Sequence, residues 1–173
     1  LVQPARSTAV EQRGGKPACE RATDDEEQRR AGREVRRSGG GEHQLAFAAT
    51  CRDGETLGWV AARRGRQFPT DFGRFSTFVE TIHHPELVRA GQRLVADLRL
   101  TGLIEIEFKE DPRDGRLKLL DVNARAWGWH AVGRAAGVDF AHLAWRAAKG
   151  ERIPPTQGRA GVRWVWLTTD LPI

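Results

Sequence analysis

The sequence predicts an α+β fold, an antiparallel sheet of hairpins flanked by helices. Three observations predict it. Asp53-Gly54 separates two strand-like runs, Gln44 to Thr50 and Glu55 to Ala62, and Asp-Gly suits a tight hairpin turn whose central residues take positive φ. A second hairpin runs from Gly102 to Val122 about the turn Asp111-Pro112-Arg113-Asp114-Gly115. Two helical patterns follow the hairpins, and strands grouped in pairs before helices give an antiparallel sheet.

Taken in order, the chain starts with a short extended stretch, Leu1-Val2-Gln3-Pro4, and a polar loop around Gly14-Gly15. Thr23 and Glu26 form a capping-box pattern. It opens a polar helix to about Arg37 with acids early and arginines late, as the helix dipole favours. Only Ala31 and Val35 supply apolar side chains at helical spacing, so this helix is expected on a surface. Ser38-Gly39-Gly40-Gly41 is a flexible break. It is read as the boundary between a remnant over residues 1–41 and a main unit over 42–173.

After the first hairpin, residues 64–76 read as a loop rich in Arg, Gly, Pro and Phe. His84-Pro85 starts a helix with Leu87, Gly91, Leu94, Val95 and Leu98 on one face; Pro suits the first helical position, and a capping role is expected of the preceding histidine. The second hairpin alternates, placing Ile104, Ile106 and Phe108 on one side. A last helix is bounded by Asp139 and Gly150, residues suited to its two caps. Trp164 and Trp166 alternate in a final short strand. Trp127 and Trp129, flanking Gly128, are expected to pack over the end of the sheet.

Bulk properties narrow the class. Net charge is +5 with a pI near 10.0 and a mean hydropathy of -0.54. Lys16, Lys109, Lys118 and Lys149 are the four lysines among 28 basic residues, so 24 are arginine, scattered among acids rather than run together. Scatter of this kind describes a solvated surface, and a phosphate-binding surface is the functional alternative. No apolar run nears the roughly 18 residues of a membrane span, and no leader pattern opens the chain. Cys19 and Cys51 have no metal-ligand spacing with the five histidines, and two such thiols fit a reducing cytoplasm. The chain begins at Leu1 and has no Met, which predicts a piece of a longer coding sequence. Serine-hydrolase elbows and phosphate-binding P-loops are missing from the sequence.

Strand alternation singles out one cluster. Glu105 and Glu107 share a face of the first strand of the second hairpin. Asp121 and Asn123 share a face of the return strand, and Arg125 continues it if the chain stays extended. A turn near Arg113 sets odd-numbered residues of the two strands opposite one another. Carboxylates crowded this way repel unless a positive charge neutralises them. Hard oxygen ligands suit Mg²⁺ or Mn²⁺, and a neighbouring arginine can hold a phosphate or carboxylate through two hydrogen bonds. An ordinary solvent-facing strand is the alternative.

Glu107-Phe108-Lys109, the Asp111-to-Gly115 turn and Leu119-Leu120-Asp121-Val122-Asn123-Ala124-Arg125 resemble the metal-binding end of the ATP-grasp superfamily. Arg63-Arg64-Gly65-Arg66-Gln67-Phe68-Pro69, Gly73 and Glu80 are similar to the preceding loop of its carboxylate–amine ligase-like members. Ala135-Ala136-Gly137-Val138-Asp139 and Gly150 also fit, and the likeness spans roughly 43–170. It implies the C-terminal subdomain of an ATP-grasp domain, incomplete at its N-terminus, with ATP and Mg²⁺ or Mn²⁺ as cofactors. By position it implies Glu107, Asp121 and Asn123 as metal ligands, Arg125 and Arg66 as catalytic groups, and Lys16, Arg63, Arg66 and Arg125 on the nucleotide phosphates. Glu105 is outside the motif. The implied reaction activates a small carboxylate as an acyl-phosphate, which an amine acceptor captures. The chain departs from the pattern at Gln3, where a lysine usually precedes Pro, at Asp121, more often Glu, and at residues 36–42, which leave no apolar hinge strand.

Other classes stay in view. Acid-x-Lys at Glu107 and Lys109 also occurs in metal-dependent nucleases; the basic pI favours that reading and Asp121-x-Asn123-x-Arg125 opposes it. A non-catalytic nucleotide- or metal-binding remnant and an Arg-rich nucleic-acid-binding domain are the remaining alternatives.

Overall fold

The structure, a computed structural model, describes residues 44–68 and 75–170. Its elements are β1 (Gln44–Arg52), β2 (Glu55–Phe68), β3 (Phe75–Ile82), α1 (Pro85–Asp97), β4 (Gly102–Glu110), β5 (Leu117–Asn123), α2 (Val132–Ala136), α3 (Phe140–Ala148), β6 (Thr156–Gln157), β7 (Arg163–Val165) and α4 (Leu167–Asp170). The polar helix, the Gly-rich break, the boundary after residue 41, Gln3 and Lys16 lie outside the described residues.

Asp53 and Gly54 join β1 to β2 with φ of 50° and 87°, so the predicted hairpin turn forms. It is pinned from behind, because Gly54 N donates to Leu100 O at 3.0 Å and Asp53 N to Thr101 Oγ1 at 2.8 Å. The sheet runs β5-β4-β1-β2-β3-β7 through antiparallel pairs, and β6 adds a short parallel contact to β2.

Each face of the sheet buries a different core. On one face Leu45, Phe47, Ala49, Ala61, Ile104, Ile106 and Phe108 meet Leu87, Val88 and Val95 of α1. Phe47 is fully buried, and Gly91 allows α1 to settle on its ring: a β-carbon there would overlap it. The α1 start is capped by His84, whose Nδ1 accepts from Leu87 N at 3.2 Å. The predicted face is corrected at its end, where Leu98 is 56% exposed and Val88 is buried instead. Leu98 is the C-cap, past the last turn that touches the sheet. On the other face Ala48, Val60, Ala62 and Val79 pack under Trp127, Trp129, Val132, Phe140 and Leu143. Trp127 sits edge-on to both Trp129 and Phe140.

The sequence reading of residues 64–76 as a loop is corrected at both ends: β2 continues to Phe68 and β3 begins at Phe75. Irregularities between Arg64 and Gln67 interrupt the alternation that marks a strand.

Candidate functional site

Register places the cluster. Glu107 lies opposite Asp121, and Glu105 opposite Asn123, across β4 and β5. Directly opposed residues of an antiparallel pair share a face, here the face beneath Trp127 and Trp129. Glu105 and Glu107 also stand opposite Ala48 and Ala46 of β1, small side chains that leave space above the strand.

Arg64 fills part of that space. From β2 its guanidinium donates to Gln44 Oε1 at 2.6 Å through Nη1 and to Glu107 Oε1 at 3.1 Å through Nη2. Both partners of the ion pair are largely shielded, with 14% and 22% of their side chains exposed. Gln44, Ala46, Arg64, Ser76, Glu105 and Glu107 line a small recess. Glu105 is buried at its floor. Desolvation, then the neighbouring Glu107 charge, pushes its carboxyl up to about 7, against the pull of Arg64, the Trp129 hydrogen bond and Arg125.

Arg125 lies beyond the end of β5 yet returns to the cluster. Its Nη2 donates to Asn123 Oδ1 at 3.0 Å and its Nη1 to Ala126 O at 3.2 Å. Asp121 is exposed, and its Oδ1 accepts from Val122 N at 2.9 Å. Register thus sets Glu107 opposite Asp121 across β4 and β5, and Arg125 bonds Asn123 on the same strand end. Arg63 and Arg66 stand elsewhere. Arg63 donates to Glu80 Oε2 at 3.1 Å, and Arg163 to the other oxygen of the same carboxylate at 3.0 Å. Arg66 lies 4.6 Å over the Phe78 ring. Glu80 and Phe78 are two apart on β3 and share a face, the one opposite Glu107.

Sequence reading missed Arg64 and Gln44 and left Glu105 aside. The signal for Arg64 was its parity with Ala62, had the strand been continued past that residue.

Among the described residues no three His, Cys, Asp or Glu side chains form a ready-made cation site. Mg²⁺ needs none, since it commonly takes one or two carboxylates and completes its shell with waters and substrate phosphates. Glu107 and Asp121, opposed in register, and the amide of Asn123 are oxygen donors of the kind Mg²⁺ takes. In this arrangement a cation would compete with Arg64 for Glu107 and with Arg125 for Asn123.

The sequence pattern of a family described as ATP-grasp in the biosynthetic pathway with Ter operon matches residues 49–169, well over half of the chain. The chain belongs to the ATP-grasp family. No curated protein matches it. Solved structures that share the fold include biotin carboxylase from Campylobacter jejuni, at 15% identity and a TM-score of 0.54, over 64% of this chain and 26% of that one. The ATPase subunit of phosphoribosylaminoimidazole carboxylase from Aquifex aeolicus aligns at 16% identity and a TM-score of 0.52, over 65% and 36%. The biotin carboxylase domain of the Hydrogenobacter thermophilus 2-oxoglutarate carboxylase, in complex with MgADP, ADP and bicarbonate, aligns at 19% identity and 0.51, over 69% and 28%. Such identities show the fold alone, and this ATP-grasp chain spans between 26% and 36% of the length of these proteins. No helix among the described residues is long and apolar enough to cross a membrane.

Proposed function

We propose that this ATP-grasp chain supplies the cation- and phosphate-handling part of an ATP-dependent ligase, which activates a small carboxylate for capture by an amine or similar nucleophile. The supporting observation is the direct opposition of Glu107 and Asp121, with Asn123 and Arg125 beside them. Glu107, Asp121 and Asn123 would hold Mg²⁺ or Mn²⁺. When bound, the cation neutralises phosphate oxygens and favours in-line transfer of the terminal phosphoryl group. Arg125, exposed and tethered at one end by Asn123 and Ala126, offers its remaining N–H groups to a phosphate or a carboxylate. Arg64 holds Glu107 in place and offsets the charge of two neighbouring carboxylates. Arg63 and Arg66, engaged on the opposite face, take no part in this patch. Lys16 would be a phosphate ligand contributed by the N-terminal segment.

The test is calorimetric titration with ATP, with and without Mg²⁺, on the parent chain and on Glu107→Gln. Heat that requires the divalent ion and disappears in the variant supports the reading. Mn²⁺ with ADP should also broaden the backbone resonances of residues 105–107 and 121–123 first. Nucleotide binding indifferent to the ion, or intact in Glu107→Gln, overturns it. Salt-sensitive binding to duplex DNA with no nucleotide response favours the Arg-rich nucleic-acid alternative.

A further inference from the structure

A second concavity lies at the turn end of the first hairpin, lined by residues that the nucleotide reading does not use. It has a volume of about 550 Å³, in the range of small-molecule sites. β3 joins β2 only from Ala61 onward, and β6 covers only Gly58 and Trp59. The first residues of β2 therefore keep an open flank, bounded by Gln92 of α1 on one side and the Arg152–Pro155 segment on the other.

The lining has a definite chemistry. Two arginines, Arg52 and Arg152, line the cavity, against the single acidic residue Glu55. Arg52 is half-buried and held at one corner, its Nη1 donating to Glu151 O at 3.0 Å. Neither arginine has a carboxylate partner among the described residues. The nearby Glu151 carboxylate is taken by Arg146 at 2.7 Å and Lys149 at 3.8 Å. A part-buried guanidinium fixed by one carbonyl keeps planar N–H pairs that match a carboxylate or phosphate. Leu57, Trp59, Ile153 and Pro155 supply apolar walls. The rim is firm, because the turn is bonded to Leu100 and Thr101.

We propose that this cavity binds a small organic anion, whose carboxylate or phosphate meets Arg52 and Arg152 while its apolar body lies against Trp59, Leu57 and Ile153. The site is separate from the nucleotide patch: Glu107 is not among its lining, and its occupancy does not depend on a divalent cation.

The test is NMR titration of the full chain with benzoate, phenyl phosphate and benzyl alcohol, read at the Trp59 indole and the Gly54 and Thr56 amides. Either anion should shift these signals saturably, and benzyl alcohol should not. Benzoate alone identifies a carboxylate site and phenyl phosphate alone a phosphate site. Arg152→Ala, an exposed position, should weaken the binding at least tenfold with the remaining spectrum unchanged. Arg52→Lys, which keeps the charge and loses the planar pair, should weaken it too. Glu107→Gln should leave it intact. Equal shifts with benzyl alcohol, no loss in Arg152→Ala, or unsaturable shifts spread over arginines across the whole surface would overturn the inference.

Discussion

Arg64 on β2 reaches past β1 to Glu107 on β4, passing beside Ala46, which stands in register with Glu107. A larger residue at 46 would block that reach. Gln44 completes the clamp by accepting from the other end of the same guanidinium. Three strands are thereby tied by one side chain in front of the proposed cation ligands. Arg64→Ala removes the ion-pair partner of Glu107 beside the buried Glu105. The expected loss is about 1–3 kcal/mol in unfolding free energy, the usual range for a buried polar group deprived of its partner. Mn²⁺ should restore part of the loss by taking over the neutralising role. Urea unfolding with EDTA and then with Mn²⁺ checks both statements, and an ion that stabilises parent and variant alike would refute the second.

Gly91 tests the other face. Alanine is the better helix former by about 1 kcal/mol, so a mid-helix Gly→Ala change would normally stabilise. Here the added methyl would overlap the ring and β-carbon of Phe47, which is fully buried and has no space to retreat. Overpacking of this kind costs about 1–3 kcal/mol. Gly91→Ala is expected to lower the unfolding midpoint, and α1 amides should exchange faster with solvent. A neutral or stabilised variant would mean that α1 can shift away from the sheet at little cost.

How much of this was legible follows from where local patterns survive. The two hairpins were readable because their turns carry their own chemistry, Asp53-Gly54 with positive φ and Asp111 closing its turn through Gly115 N at 2.7 Å. The face shared by Glu107 and Asp121 was readable because the alternation of β4 and β5 holds around them. The end of β2 was hidden, since the irregularity between Arg64 and Arg66 reverses its side-chain parity, and the step from Phe78 to Ser76 opposite Arg66 and Gln67 does the same within β3. Arg63 and Arg66, three apart, consequently face the same side of the sheet, and Arg64 turns to the other. α2 was missed because five residues without a side-chain cap carry no start signal. The Arg64 clamp depends on pairing across three strands, which no local pattern contains.

Cys51 lies on β1, buried against the α1 face. Desolvation pushes its thiol up to about 12, with only a small opposing pull from the Thr56 hydrogen bond. A thiol this far from ionising is a poor nucleophile. In a Cys19→Ser variant, where Cys51 is the remaining thiol, a disulfide reagent at pH 8 should react only on unfolding. The labelling rate then reports global opening and should fall with any ligand that stabilises the fold. Rapid labelling under native conditions would show that β1 opens locally.

Asp111 offers a pH-dependent check. Its carboxylate accepts from Arg113 Nε at 3.0 Å, Nη2 at 2.8 Å and the Arg113 backbone N at 3.1 Å. The side-chain hydrogen bonds, then the backbone one, hold its carboxyl down at about 2. The folded chain therefore binds a proton here less readily than the unfolded chain does. Stability from this group is complete above the ordinary Asp range near 4 and is lost as pH falls toward 2. Asp111→Asn keeps the shape and removes the ionisation. Its unfolding free energy should lie below that of the parent at pH 6, and the gap should narrow as pH drops from about 4 to 2. Glu80 and Glu151 are also held low by hydrogen bonds from arginine side chains, and Asp114 by the Arg116 backbone N and then by Lys118. Both proteins share those groups, so the difference between the two pH profiles reports Asp111 together with its charge coupling to Asp114. A gap that stays constant across the range would show that the turn relies on the shape of residue 111 rather than its charge.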